Sequence, residues 1–286
     1  MNKLALALLL AAPLFAADPT FLRRRLSEVQ AKPDDLTANA HLASYKPVFG
    51  PGDAQANQLK GFVRYGELTV EPGGASAVVS YRMEEQIYFI LDGSGTLIYG
   101  ERQVPVRTND FVYLPPDVRH GVANSSAQSL RLLVVGCSLG NSRLAGQSPA
   151  LQLANVEEVA SQPLAHHGDT VQFKLLMGTT ESKRDKLAAA QNMVSLFIMD
   201  FAPGGTNIPH HHEAEEEIYF ILQGHGDMVA GGGADGNEGR YPARAGDAFF
   251  IRLNATVGFY SGSKAGEPHD MVLAVRTAYP LEPRPR

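Results

Sequence analysis

The chain contains a single cysteine, Cys137, so no disulfide bond can form within it. The folded state must therefore be stabilised by its apolar core, together with any metal that it binds. Cys137 follows the apolar run Leu132–Gly136, a position that favours a buried thiol acting as a small hydrophobic side chain.

Clustered basic residues are almost absent, the one exception being Arg23–Arg25, and the formal net charge is −5. A nucleic-acid-binding protein needs a basic surface, so nucleic acid is not expected to be a partner. With 286 residues, of which 44% are hydrophobic and 19% charged, the chain has the length and composition of two ordinary globular domains.

No apolar run is long enough to span a membrane. The nearest candidate, Leu4–Phe15, has 12 residues, follows Lys3 and precedes Ala16 and Ala17. This order of a charged start, an apolar run and small residues is typical of a secretory signal peptide. We therefore expect residues 1–17 to be removed, leaving a secreted or periplasmic protein that does not contact the membrane.

The most informative stretch is Pro203–Gly226, which reads PGGTNIPHHHEAEEEIYFILQGHG. His210 and His212 are two residues apart, so both imidazoles project from one face of an extended strand. Glu217 follows a short acidic turn, on a segment rich in the β-branched and aromatic residues that strands favour. An antiparallel turn would bring its carboxylate towards the imidazoles. Such a set can hold Fe, Mn, Ni, Cu or Zn with coordination positions left open.

The spacing in this stretch resembles the first motif of the cupin family, G-x5-H-x-H-x(3,4)-E-x6-G. The residues that meet it are Gly204, His210, His212, Glu217 and Gly224. The resemblance implies a small antiparallel β-barrel in which two histidines and one glutamate bind a metal. In the family, a further histidine from a second motif completes the metal site.

The chain also repeats itself at an offset of 131 residues. At this offset, Ile87–Leu91 aligns with Ile218–Leu222, and both read IYFIL. Pro72–Gly74 aligns with Pro203–Gly205. This pentapeptide is apolar on both faces, as in a strand that is buried on both sides. Short strand-like segments separated by turn residues surround it in each copy. The predicted fold is all-β, with two tandem cupin barrels of the double-stranded β-helix or jelly-roll type.

The predicted organisation has six parts. They are a signal peptide (1–17), an N-terminal arm (18–59), a first barrel (60–138), a linker (139–170), a second barrel (171–280) and a tail (281–286). In the arm, Asp18 and Pro19 precede spaced apolar residues, a pattern that predicts a short amphipathic helix. Glu181–Gln191 is expected to be an exposed loop with some helical character.

The first copy lacks the metal ligands of the second. Val79, Tyr81 and Gln86 occupy the three ligand positions of the first motif. Valine offers no lone pair, and phenol and amide groups are poor ligands for a divalent transition metal. Only His120, at the histidine position of the second motif, remains. We therefore expect a metal-free first barrel in which Tyr81, Gln86 and His120 either form structural hydrogen bonds or line a small ligand pocket.

The second copy lacks the fourth ligand instead, because Val257 occupies the position of the second-motif histidine. A three-ligand site would still leave positions for substrate and for water or dioxygen. Candidates for a replacement ligand are His211, His225 and His269. His166 and His167 lie in the linker without ligand spacing and are expected to form a surface pair.

Further candidate residues follow from their positions near the motif. Glu216 and Tyr219 flank Glu217 and are candidate catalytic residues. Arg252 and Tyr260 are candidate anchors for an anionic substrate. The expected cofactor is one divalent transition metal, with Fe or Mn favoured and Zn, Ni and Cu possible.

The resemblance implies a bicupin, a group that includes oxalate decarboxylases, quercetin and gentisate dioxygenases, ureidoglycine aminohydrolases and seed storage proteins. The leading hypothesis is a secreted, metal-dependent, dioxygenase-like oxidoreductase that acts on a small oxygenated organic molecule through the C-terminal barrel. The alternatives are a non-catalytic bicupin that binds a sugar or an organic acid, a decarboxylase or aminohydrolase, and a metal-free storage-type bicupin. Paired barrels with doubly apolar strands are compatible with a homodimer.

Overall fold

The computed structural model describes residues 20–140, 150–233 and 237–280. The predicted signal peptide (1–17) and tail (281–286) lie outside these ranges. Within them, all regular structure is β-strand or short 3-10 helix, and no helix is long and apolar enough to cross a membrane. The strands are β1 (Phe21–Arg25), β2 (His41–Phe49), β3 (Phe62–Ala75), β4 (Glu84–Asp92), β5 (Ser94–Tyr99), β6 (Arg102–Arg107), β7 (Asp110–Leu114), β8 (His120–Ala123), β9 (Leu130–Ser138), β10 (Gln152–Asn155), β11 (Val171–Thr179), β12 (Leu187–Ala190), β13 (Met193–Phe201), β14 (His210–His211), β15 (Glu215–Gln223), β16 (His225–Gly231), β17 (Gly239–Arg244), β18 (Asp247–Ile251), β19 (Thr256–Ser261) and β20 (Asp270–Ala278). The 3-10 helices are Leu26–Glu28, Asp35–Thr37, Ala56–Gln58 and Val156–Glu158.

The N-terminal barrel is one curled sheet of nine strands. Its strand order is β10-β7-β4-β9-β3-β8-β5-β6, with β2 paired to β3 outside this path. The barrel is thus built from segments predicted to be arm and linker as well as from residues 60–138. Both added strands, β2 and β10, pair antiparallel with their neighbours.

The C-terminal barrel consists of two sheets that face each other. The larger has the order β1-β18-β15-β20-β13-β11-β12, and the smaller has the order β14-β19-β16-β17. In each barrel the IYFIL segment forms a central strand: β4 lies between β7 and β9, and β15 lies between β18 and β20. The predicted all-β fold with two tandem barrels is confirmed.

The two barrels share one apolar core. Alternate residues of each IYFIL strand, Ile87 and Phe89 in β4 and Ile218 and Phe220 in β15, point into this shared core. The residues between them pack inside their own barrels. The strand is therefore buried on both faces, as its composition predicts. Cys137 is fully buried in the same shared core, which is the environment expected for an unreactive thiol.

The helix expected after Pro19 does not form. Phe21–Arg25 is a strand, β1, which pairs with β18 of the C-terminal barrel, and only Leu26–Glu28 makes a single 3-10 turn. Pairing with the free edge of β18 satisfies the backbone hydrogen bonds of this segment, so tertiary contact overrides a weak local helix preference. The N-terminal segment therefore adds a strand to the far barrel.

The segment Glu181–Gln191 also differs from its prediction. Its second half forms β12, which pairs parallel with β11, so part of it belongs to the sheet. Its first half is a turn that contains Arg184. Between the barrels, the 3-10 helix Val156–Glu158 is capped by the side chain of Asn155.

Candidate metal centre

Two short strands and the turn between them position the predicted ligands. His210 lies in β14 and pairs with Val257 of β19, His212 follows directly, and Glu217 is the third residue of β15. His210 and His212 are partly buried, whereas the side chain of His211 between them is 57% exposed. The alternation of an extended chain therefore turns two imidazoles inward and the third outward.

The three predicted ligands meet at one point. One ligand atom from each of His210, His212 and Glu217 lies within 4.8 Å of the other two. The rings of His210 and His212 are 4.9 Å apart between centroids and nearly perpendicular, at 86°. Nε2 of His212 lies 3.2 Å from Oε2 of Glu217.

Two buried atoms of this cluster have no hydrogen-bond partner. They are Nε2 of His212 and Oε2 of Glu217, which face each other without the geometry of a hydrogen bond. Buried polar atoms without partners are energetically costly and are rare in folded proteins. A divalent ion bound between them would satisfy both atoms, and two imidazoles with one carboxylate form an appropriate donor set for a transition metal. The residues present therefore fit the predicted metal.

His210 is held in the tautomer that a metal requires. Its Nδ1 donates a hydrogen bond to the carbonyl oxygen of Ile208 at 2.9 Å, which leaves the lone pair on Nε2. A second hydrogen bond of this kind orients most metal-binding histidines in proteins. Burial lowers the pKa of His210 below its usual value, which favours the neutral form that can bind a metal.

The cluster lies at the wall of a cavity of about 210 Å³. This volume is below the roughly 300 Å³ at which pockets for drug-sized ligands begin, so a bound molecule must be small. The apolar lining consists of Leu164, Phe173, Leu175, Phe197 and Met199. The polar lining consists of the three predicted ligands together with Tyr219, His167, Arg184 and Arg276.

Tyr219 lies on the Glu217 face of β15, as its spacing suggests. Its hydroxyl oxygen accepts a hydrogen bond from the side-chain amide of Asn207 at 2.9 Å. Burial raises the pKa of Tyr219 well above its usual value, so the hydroxyl keeps its proton. Tyr219 can therefore donate a hydrogen bond to a molecule in the cavity but is not a base.

Arg276, in β20, brings a positive charge to the cavity. One terminal nitrogen pairs with Glu215 at 3.0 Å and the other bonds the hydroxyl of Ser195 at 3.3 Å. Its Nε is buried and has no hydrogen-bond partner. Arg184 approaches the same cavity from its turn, with a half-exposed side chain. The sequence did not single out either arginine as a site residue.

Two segments of the chain, residues 66–136 and 197–272, match the sequence profile of the Cupin domain and together cover about half of its length. The chain belongs to the cupin family. Among curated proteins, an uncharacterised protein of Methanocaldococcus jannaschii is 28% identical to this cupin over 67 residues, which are 23% of this chain. The matched part spans about half (54%) of that relative's length.

Solved structures share the fold of this bicupin along most of its length. A putative glyoxylate-induced protein from Pseudomonas aeruginosa is 15% identical, with a TM-score of 0.71 over 96% of this chain and 93% of its own. The formate complex of Lactobacillus farciminis oxalate decarboxylase is 13% identical, with a TM-score of 0.67 over 91% and 86%. Bacillus subtilis oxalate decarboxylase, a protein with Mn(II) centres, is 12% identical, with a TM-score of 0.64 over 91% and 78%.

None of the three histidines proposed to replace the fourth cupin ligand joins the cluster. His211 points outward, His225 is exposed on β16, and Nδ1 of His269 lies 2.6 Å from the carboxylate of Asp200 at the surface. Val257 is fully buried opposite His210. His167, which was expected to lie in a surface pair, is instead half-buried and lines the metal cavity.

Glu216, a candidate catalytic residue from the sequence, does not line this cavity. Its buried carboxylate points to the other barrel, where it accepts hydrogen bonds from the backbone nitrogens of Lys60 (3.1 Å), Gly61 (2.8 Å) and Phe62 (3.4 Å). The reason is strand alternation, since Glu217 and Glu216 must face opposite sides of β15.

The first barrel carries the matching contact at the equivalent position. Glu85 accepts hydrogen bonds from the backbone nitrogens of Gln191 (2.7 Å), Asn192 (2.8 Å) and Met193 (2.6 Å) in the second barrel. Each barrel thus inserts one buried carboxylate into the backbone of the other. We call this pair of contacts the reciprocal clasp.

The proposed substrate anchors Arg252 and Tyr260 also lie away from the cavity. Arg252 follows β18, on the opposite side of β15 from the metal cluster. Burial there raises the pKa of Glu216, and the positive charge of Arg252 opposes part of that rise. Tyr260 lies in β19 with the guanidinium of Arg240 stacked 4.0 Å from its ring centroid. Neither residue lines the cavity.

In the first barrel, the residues at the cupin motif positions form a buried polar network. Nδ1 of His120 donates to the carbonyl oxygen of Val118 at 2.8 Å, and Nε2 lies 3.0 Å from Oε1 of Gln86. The Gln86 amide in turn donates to Glu84 at 2.6 Å. The guanidinium carbon of Arg64 lies over the ring of Tyr81, 4.7 Å from the ring centroid. These contacts support the structural role that was one of the two alternatives for Tyr81, Gln86 and His120.

His120 should make the stability of the protein depend on pH. Burial lowers the pKa of His120 to about 4, below the ordinary value of 6.5. As the pH falls from 6.5 to 4, the unfolded chain therefore takes up a proton that the folded chain does not. The free energy of unfolding should decrease across this window, by about 1 kcal/mol per pH unit for this one residue.

Denaturant unfolding of metal-free protein between pH 4 and 7 tests this expectation against the variant His120→Gln. Between pH 6.5 and 4, the free energy of unfolding of the variant should decrease by about 1 kcal/mol per pH unit less than that of the wild type, whatever its stability at pH 7. Burial raises the pKa of Glu84, a contribution of opposite sign that both proteins share. Parallel pH profiles for the two proteins would contradict the assignment.

Proposed function

We propose that this bicupin is a metal-dependent enzyme that acts on a small organic acid in the cavity of the C-terminal barrel. The observation that carries the proposal is the position of Arg276. Its side chain lines the same cavity of about 210 Å³ as the three predicted metal ligands, and its buried Nε has no hydrogen-bond partner. The planar guanidinium group is the side chain best suited to bind a carboxylate, and its hydrogen bonds to an anion are stronger in a confined cavity than in water.

Each polar group of the cavity has a role that follows from its contacts. Arg276 binds the substrate carboxylate, and Arg184 adds a second positive charge at a more exposed position. Tyr219, oriented by Asn207 and protonated, donates a hydrogen bond to a substrate oxygen. A divalent ion held by His210, His212 and Glu217 would polarise a substrate oxygen as a Lewis acid.

Fe and Mn remain the favoured metals, since imidazole and carboxylate ligands suit both, while Zn, Ni and Cu are compatible with the same donors. The Mn(II) centres of the structurally similar oxalate decarboxylase from Bacillus subtilis support a divalent metal of this kind. The reaction we favour is oxidative and dioxygenase-like. Decarboxylation of a small acid is the second candidate, supported by the fold similarity to the formate complex of oxalate decarboxylase.

Metal content and ligand binding test the proposal together. The processed protein should contain close to one equivalent of Fe or Mn by elemental mass spectrometry, and the variant His212→Ala should contain none. The metal-loaded protein is then screened with small mono- and dicarboxylates for binding, oxygen consumption and release of carbon dioxide. Oxygen consumption supports the oxidative reaction, and carbon dioxide without oxygen consumption supports decarboxylation.

The variant Arg276→Lys isolates the proposed carboxylate contact. It keeps the positive charge but loses the planar donor group, so the dissociation constant of a bound acid should rise about 10–100-fold with the metal content unchanged. The matched control is Arg252→Lys, which should bind the acid like the wild type. Equal effects of the two substitutions would reject Arg276 as the anchor.

Two further outcomes have defined meanings. Tight binding of acids without turnover would identify the protein as a non-catalytic organic-acid binding bicupin. Absence of metal after reconstitution would reject the enzyme proposal. Export is proposed on the signal-like pattern of residues 1–17. The doubly apolar strands that suggested a homodimer are buried on both faces within one chain, so they do not add support for one.

A further inference from the structure

His167 occupies an unusual position for a residue of a connecting segment. It lies between β10 and β11, lines the metal cavity and is half-buried, whereas its neighbour His166 is exposed. His166 has a positive backbone φ of 68°, which marks the sharp bend at which the segment turns His167 inward. The His167 ring also packs on Phe173, with centroids 5.0 Å apart.

The geometry of His167 relative to His210 matches that of His212 relative to His210. The centroids of His167 and His210 are 5.1 Å apart with an interplanar angle of 77°, against 4.9 Å and 86° for His210 and His212. With metal–nitrogen distances of about 2.0–2.1 Å, the centre of each bound imidazole lies about 3 Å from the ion. Two rings at neighbouring coordination positions are then about 4.5–5.5 Å apart. Both pairs fall within this interval.

The hydrogen bonds of His167 repeat the pattern of a metal-binding histidine. Its Nδ1 donates to the carbonyl oxygen of Asn207 at 3.3 Å, one residue before the carbonyl that holds His210. The side chain of Asn207 is fully buried and fixed at both ends, because it donates to Tyr219 and accepts from the backbone nitrogen of Phe259. The hydrogen bond that Nδ1 donates to this fixed residue leaves the lone pair of His167 on Nε2.

We propose that His167 is the fourth protein ligand of the metal in the C-terminal barrel, and that it replaces the histidine absent at Val257. The inference rests on the proposed metal site. His167 is not among the three residues whose ligand atoms all lie within 4.8 Å of one another, so its side chain must rotate to reach an ion that the other three hold. Because His167 belongs to the segment that connects β10 and β11, metal binding would also hold that segment against the cavity.

The count of bound imidazoles tests this assignment without any measurement of activity. Wild-type protein is loaded with Cu²⁺, and pulsed electron paramagnetic resonance counts the imidazoles coupled to the ion. We expect three in the wild type and two in His167→Phe, which keeps the aromatic contact with Phe173 but has no nitrogen. His166→Asn is the matched control, since asparagine tolerates the backbone bend, and it should retain three.

Metal affinity provides the second measurement. In chelator competition, the dissociation constant for Mn²⁺ should be roughly 10–100-fold larger for His167→Phe than for the wild type and His166→Asn. Thermal unfolding in chelator verifies that the variants fold. Two imidazoles in the wild type, or equal affinities for wild type and His167→Phe, would overturn the assignment of His167 while leaving the three-ligand site intact. A wild type that binds no metal would reject the metal site itself.

Discussion

The substitution Glu217→Gln is expected to weaken metal binding about 100-fold or more without destabilising the metal-free protein. Loss of an outer partner of a metal ligand typically costs about 10–100-fold in affinity, so loss of a direct anionic ligand should reach at least the upper limit. In the metal-free protein, Oε2 of Glu217 is buried beside Nε2 of His212 and neither has a partner. A neutral amide should relieve part of this cost of burying an unpaired charge.

The same substitution one residue earlier provides the control. Glu216→Gln replaces another buried glutamate of β15, but its side chain points to the backbone of the first barrel. It should leave the dissociation constant for Mn²⁺ within about threefold of the wild-type value. It should reduce the free energy of unfolding, because the amide nitrogen cannot replace Oε1 as acceptor for the backbone nitrogen of Lys60 and the neutral amide accepts more weakly than a carboxylate. The prediction thus requires opposite responses from adjacent residues. A loss of metal affinity in Glu216→Gln, or none in Glu217→Gln, would contradict the assignment.

Truncation of either carboxylate of the reciprocal clasp should destabilise the protein strongly. In Glu216→Ala, the backbone nitrogens of Lys60, Gly61 and Phe62 lose their acceptor, and in Glu85→Ala those of residues 191–193 lose theirs. Each unsatisfied buried donor costs about 1–3 kcal/mol, part of which is recovered by relaxation and entering water. We expect each variant to lose about 3–5 kcal/mol of unfolding free energy.

Denaturant unfolding of the metal-free variants tests the reciprocal clasp. The control is Glu213→Ala, whose side chain is 85% exposed in the same acidic turn and which should change the unfolding free energy by no more than about 0.5 kcal/mol. Glu85→Ala also removes the acceptor of the buried Tyr113 hydroxyl (2.8 Å), so its loss should be at least as large as that of Glu216→Ala. A loss no larger than that of Glu213→Ala would show that these hydrogen bonds do not stabilise the pairing of the barrels.

The repeat allowed the fold to be predicted before any tertiary contact was known. IYFIL occurs twice, is apolar on both faces and is followed in each copy by turn glycines, so each copy had to place a doubly buried strand at its centre. The segments outside the repeat were predicted less well. Phe21–Arg25 is a strand only because the edge of β18 is available to it, although that edge is far away along the chain, with Phe21 paired to Ile251.

The comparison of the two copies also anticipated how their sites diverged. The second copy keeps both histidines and the glutamate of the first motif, and the structure brings these residues together. The first copy keeps only His120, whose Nδ1 donates a hydrogen bond to the carbonyl oxygen of Val118 inside the barrel. Ligand identity is visible in sequence, since valine at position 79 or 257 cannot bind a metal in any conformation.

No local sequence pattern identified the other residues that line the cavity. Arg276 lies in an apolar strand, Arg184 in an apparently exposed turn, and His167 in a linker next to another histidine. Each reaches the cavity because a different element packs against β15 or its sheet. Glu216 illustrates the opposite error, because its place in an acidic run suggested chemistry that its orientation excludes.

The sequence by itself determined the two barrels and the core of the metal site, and tertiary structure decided the rest of the cavity. His210, His212 and Glu217 are close in sequence, although β14 belongs to the smaller sheet and β15 to the larger one. Strand alternation and the short turn between the two sheets bring them together. The groups that would bind substrate and complete the metal site come from separate strands and loops. Their meeting depends on how the sheets curl and pack, which is a property of the whole chain and not of any local spacing.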